Sequence, residues 1–65
     1  MPKYPNIVVP VVGMDGNAFA IMGRVVARMS RAKVATEEID AFQKEAMSGD
    51  YNDLLATCAK WVTVN

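Results

Sequence analysis

No histidine occurs in this 65-residue chain, and Cys58 is its single cysteine. Zinc sites of the Cys/His type and disulfides within the chain are thereby excluded. So is every catalytic arrangement built on imidazole, the side chain that most often moves protons near neutral pH. The composition therefore reads as non-enzymatic, with no catalytic, cofactor-binding or metal-binding residues. Long apolar runs are also missing: the longest, Ile7 to Val12, falls well short of the roughly 20 residues a bilayer span requires. The start, Met1-Pro2-Lys3-Tyr4-Pro5, lacks the apolar core of a signal peptide. A protein without membrane attachment is expected, and a lone cysteine suits the cytoplasm. Nor does one sign of charge dominate, since seven basic and seven acidic side chains cancel to zero.

What is present is apolar: 52 % of the residues are hydrophobic, too many for intrinsic disorder. The length allows one domain, residues 1–65. A chain of this size buries only about 60 % of the surface its unfolded form exposes, so its core is marginal. From Asn6 to Gly13 a β-branched run bounded by turn formers predicts a strand. Pro10 in its middle cannot donate to a ladder, which predicts an edge. Gly13-Met14-Asp15-Gly16-Asn17 follows as a turn, with Asp15 or Asn17 as helix cap. Ala18 to Ala32 carries Phe19, Met22, Val26 and Met29 at helical spacing, widened by Ala18, Ile21 and Val25.

After the connector Lys33-Val34-Ala35, Thr36 with Glu37, Glu38 and Asp40 reads as a capped helix start with acids on its positive end. That helix should run to about Met47, with Ile39, Phe42 and Ala46 on one face. Ser48-Gly49 should stop it, by a left-handed glycine. Asp50 should cap a third helix, Tyr51 to Lys60, with Leu54, Leu55, Cys58 and Trp61 to one side. Trp61 to Asn65 alternates with period two and predicts a second strand. The expected fold is α+β, in the order β-α-α-α-β. Three helices cover a ribbon of the paired terminal strands, because such a ribbon alone is unstable in water.

The zero charge hides a dipole. Residues 1–33 hold five basic and one acidic side chain, net +4, and residues 34–65 hold two basic and six acidic, net −4. Arg24, Arg28 and Arg31 fall on one line of the first helix, with Lys33 beyond. An ordinary solvated face, with ion pairs to the second helix, accounts for such a line. Alternatively it binds a phosphate backbone, although no aromatic residues interleave to stack bases. A third possibility docks the positive face of one molecule on a negative face of another.

The Gly13–Asn17 loop stands between strand and helix, where small anions or nucleotides bind, but it lacks a P-loop's spacing and lysine. A turn and cap explain it without a ligand. Cys58, flanked by apolar residues and lacking a histidine to activate it, is read as core. Asp50 and Asp53 are read as cap and first-turn acid rather than a catalytic pair. Met22, Met29 and Met47 are read as core filler or a dimer seam, and Met14 as exposed. Trp61 either closes the core or anchors an interface. With Val62 and Val64 it forms the candidate dimer surface, through which an open strand edge joins a second copy.

Tyr4-Pro5-Asn6-Ile7, Gly13 with Asp15-Gly16-Asn17-Ala18-Phe19, and Gly49-Asp50-Tyr51 with Leu54-Leu55, Cys58 and Trp61-Val62 carry a resemblance that covers nearly the whole chain. It is to a family of short uncharacterised proteins from bacteria and their phages. The resemblance implies a compact cytoplasmic protein and brings no site residue with it. A phage connection implies a small binder that modulates a host protein or nucleic-acid machine. The sequence thus leads to the expectation of a homodimeric interaction module that shows charged helix faces to a protein partner. Nucleic-acid binding by Arg24, Arg28, Arg31 and Lys33 is the alternative.

Overall fold

The structure, a computed structural model, describes residues 1–10 and 17–65. Its elements are β1 (Tyr4–Val9), α1 (Ala18–Arg31), α2 (Thr36–Ala46), α3 (Tyr51–Trp61) and β2 (Val62–Val64), the expected β-α-α-α-β order. The strands pair in parallel, as they can because the helices between them supply the long crossover that parallel neighbours need. Among the described residues no helix is long and apolar enough to cross a membrane.

β1 lies nearer the N-terminus than the β-branched run predicts. The Lys3 N–H donates to the Lys60 carbonyl at 2.8 Å, and the Asn65 N–H donates to the Val9 carbonyl at 3.2 Å. The ladder is thus set by where α3 ends, and Pro10, with no N–H, falls just beyond it rather than in its middle. Residues 11–13 of the expected strand lie outside the described residues. The proline inside β1 is Pro5, in the irregular stretch between Tyr4, which pairs with Val62, and Val8, which pairs with Thr63. A bulge is where a strand tolerates proline. The Thr63 hydroxyl closes this one by donating to the Pro5 carbonyl at 2.8 Å.

α1 begins at Asn17, whose side chain accepts from the Ala20 N–H at 3.2 Å. Its buried seam is Ile21, Val25 and Met29, four residues apart and hence on one line. Met22 and Val26 are half-buried on one flank. Phe19, expected in the stripe, lies further round the helix and is 73 % exposed. α1 stops at Lys33, which has φ 64°. The Lys33 N–H reaches the Ser30 carbonyl and the Val34 N–H the Met29 carbonyl, both at 3.0 Å. This is the paired closure usually built on glycine, with Val34 packed against the core as its apolar partner.

That closure also shifts the start of α2. Ala35 occupies the cap position without a side-chain bond, and Thr36, expected as the cap, is the first helical residue. α2 ends at Met47, whose N–H reaches the Gln43 carbonyl, while the Ser48 hydroxyl donates to the Glu45 carbonyl at 2.7 Å. Gly49 is not left-handed. A Cβ there would collide with the Asp53 side chain, which reaches back to the Asp50 N–H at 3.2 Å while the Asp50 carboxylate accepts from the Asp53 N–H at 3.0 Å. Glycine thus leaves room for this reciprocal cap, worth about 1 kcal/mol.

The core gathers Val9, Ile21, Val25, Met29, Phe42, Ala46, Leu54, Cys58, Trp61 and Val62 from all five elements. Phe42 at its centre is fully buried, a contribution of about 1.5–3 kcal/mol. The Trp61 ring meets Phe42 edge-on at 5.9 Å and stacks on Tyr4 at 6.3 Å.

Candidate functional site

Three surface regions come out of this packing. The first is a clasp of charges around the Tyr4–Trp61 stack. Glu38 of α2 pairs with Lys3 and accepts from the Tyr4 hydroxyl at 3.0 Å. Glu45, two turns further along α2, pairs with Lys60 at 2.6 Å and accepts from the Trp61 Nε1–H at 3.2 Å. Lys3 Nζ lies 4.8 Å from the Trp61 ring centroid, within cation–π range. The Lys3 bond holds the Glu38 carboxyl below the ordinary glutamate range, with the Tyr4 hydroxyl adding to it, and the Lys60 bond does the same for Glu45 with help from Trp61. The Glu38 contact in turn raises the Lys3 ammonium, and loss of hydration raises the Tyr4 phenol. All of these bonds tie the N-terminus and α3 to α2.

The second region is the cationic face. Arg24 and Arg31 are exposed, Arg28 is half-buried and Lys33 is exposed. Arg28 lies against β1, with its guanidinium 3.5 Å from the Val8 carbonyl, which faces away from β2 because Val9's faces towards it. Among the described residues none of these four cations forms an ion pair. The α2 acids that sequence spacing offers as partners do not neutralise this face: Glu38 and Glu45 are engaged in the clasp, and Glu37 and Asp40 form no ion pair among the described residues.

The third region is an apolar cleft of about 240 Å³ where α1 begins and α2 turns into α3. Phe19 and Met22 form one wall, and Met47, Tyr51 and Leu54 the other. Phe19 and Met47 are 73 % and 62 % exposed. Sequence spacing placed Phe19 in the apolar stripe and left Met47 as core filler or a dimer seam. The missed signal is rotational: Phe19 sits off the Ile21–Val25–Met29 line, and Met47 follows the last buried residue of α2, Ala46.

The candidate dimer residues divide. Trp61 and Val62 are buried in the chain's own core, and Val64 is half-buried on β2. Among the described residues, β2 is hydrogen-bonded only to β1. In the Gly13–Asn17 loop, residues 13–16 lie outside the described residues, and the Asn17 side chain is occupied as the α1 cap. Cys58 is buried, and loss of hydration raises its thiol above the ordinary range, the reverse of what a nucleophile needs. Comparison with protein-family models, with curated proteins and with solved structures finds no match to this chain.

Proposed function

We propose that the chain is a non-enzymatic interaction module that pairs with a second copy of itself and offers its charged helix faces to a protein partner. One observation carries this reading: the cleft with Phe19 and Met47 on its rim. Large apolar side chains grouped at the surface of a small domain mark contact sites, because leaving them in water forgoes the main source of stability. A chain with zero net charge has no long-range repulsion between copies to overcome. The outer edge of β2, with Val64, adds a second place for a copy to join.

Sedimentation equilibrium across the micromolar range tests self-association. Dimer is expected at high micromolar concentration, and Phe19→Ser should shift it to monomer without loss of helicity. A folded wild-type monomer at that concentration removes the self-pairing part. That Arg24, Arg28, Arg31 and Lys33 form no ion pair among the described residues favours nucleic-acid binding as a second reading. Titration of labelled duplex and single strands at low salt decides it: no binding, or binding unchanged when the arginines become alanine, excludes it.

A further inference from the structure

Two depressions of about 470 and 190 Å³ lie along the outer side of β1. They share Asn6, Ile7 and Ala32 and so form one groove between the strand and the end of α1. Lys3 and Tyr4 stand at one end, Arg28 and Arg31 at the other, and Lys33 on the α1 side. We propose that this groove docks an extended acidic segment of a partner protein, whose carboxylates are met by Arg28, Arg31 and Lys33. The proposal rests on the interaction-module reading and gives that module its partner's chemistry.

Charge complementarity selects the occupant. At the Lys3 end the ammonium is answered by Glu38. At the other end, among the described residues, Arg28, Arg31 and Lys33 have no carboxylate partner. The backbone supplies a second, independent observation. Lys33 holds φ 64°, a conformation that disfavours any residue with a Cβ and that glycine adopts freely. Glycine would complete the same helix closure without strain but would place no charge on the groove. Strain kept where a charged side chain meets a groove is the pattern of a binding position.

The groove suits a peptide better than a nucleic acid. Ile7, Val8 and Ala32 give it an apolar lining between the cations. The one aromatic ring beside it, Tyr4, is half-buried and stacked on Trp61, so it offers no platform for bases. The acidic second half of the chain opposes a long polyanion while leaving local pairing intact. Arg28 already meets the outward Val8 carbonyl on this edge, so side-chain charge, not strand addition, carries the recognition.

Fluorescence anisotropy of the full chain with labelled oligo-glutamate, in a salt series and beside an uncharged Gly-Ser peptide, tests the proposal. Oligo-glutamate should bind and weaken as salt rises, and the Gly-Ser peptide should not bind. Arg28→Glu with Arg31→Glu should cost about tenfold or more. Lys33→Gly should weaken binding about threefold, the share of one exposed charge, while raising the melting temperature. Arg24→Glu, outside the groove, should stay within about twofold. Circular dichroism on each variant separates lost binding from lost fold.

The proposal is overturned if oligo-glutamate does not bind at low salt. It also falls if the groove reversals have no more effect than Arg24→Glu, or if a duplex oligonucleotide binds more tightly than the peptide. A monomer that still binds oligo-glutamate through the groove keeps this inference and discards self-pairing. A dimer indifferent to the peptide does the opposite.

Discussion

The clasp and the cationic face contain similar side chains put to opposite uses. At the clasp each acid has two partners: Glu38 holds Lys3 and Tyr4, and Glu45 holds Lys60 and Trp61. Along α1 and its closing turn the cations Arg24, Arg28, Arg31 and Lys33 have no acid among the described residues. Charge spent inside the molecule fixes where strands and helices meet, and charge left unspent is available to another molecule. The contrast also explains how a chain of zero net charge can have a locally basic surface.

The largest effect expected is at the clasp. Trp61→Ala removes the ring that stacks on Tyr4 and meets Phe42, a change of about 3–5 kcal/mol. In a chain this small that should abolish the cooperative thermal transition, and a sharp melt near the wild-type temperature would show that the stack is dispensable. Acid should open the same region. Because Glu38 and Glu45 have folded pKa values below the ordinary 4.5, their stabilisation is complete above that value. It is lost as pH falls through the lower, folded values. Lys3 and Tyr4 are shifted upward, so their share persists below their ordinary values of 10.5 and 10.0 and disappears as pH rises beyond them. Melting temperature against pH should therefore fall at both extremes. Glu38→Gln with Glu45→Gln should flatten the acid limb, and an unchanged limb would sever it from the clasp.

Gly49→Ala should cost about 1 kcal/mol, because its Cβ displaces Asp53 and breaks the reciprocal cap. Denaturant midpoints would show it, and an equal cost in an Asp53→Ala background would contradict the mechanism. Lys33→Gly should act in the opposite direction, stabilising by up to about 1 kcal/mol, because the roughly 1–2 kcal/mol of left-handed strain it relieves outweighs the roughly 0.5–1 kcal/mol of glycine's extra freedom in the unfolded chain. No gain would mean that the left-handed position carries no strain.

These two positions also show what sequence reading reaches. A glycine after α2 suggests a left-handed stop, yet the left-handed residue is Lys33 and Gly49 serves close approach. Residue identity signals that a helix ends but not which geometry ends it, since the Lys33 closure depends on Val34 reaching the core. Asp50 was legible as a cap, and Asn17 as one of two candidates beside Asp15, because capping is local chemistry. So were Phe42, Cys58 and the order of elements, which follow from periodicity. Phe19 was misplaced because periodicity gives a stripe's repeat but leaves its rotation to the neighbouring helices. The strand limits were shifted because pairing is fixed by the end of α3, more than fifty residues along the chain from Tyr4. The arginine line was visible in the sequence. That it forms no ion pair among the described residues depends on the fold, which turns Glu38 and Glu45 towards Lys3 and Lys60.

The smallest effect on stability is the most direct test of this division of charge. Urea unfolding of Arg24→Gln/Arg31→Gln, which spares the Arg28 contact with the Val8 carbonyl, should give a free energy within about 0.5 kcal/mol of wild type, as for surface substitutions that break no internal bond. A loss of about 2 kcal/mol or more would show that the arginines hold the fold together and are not free for a partner.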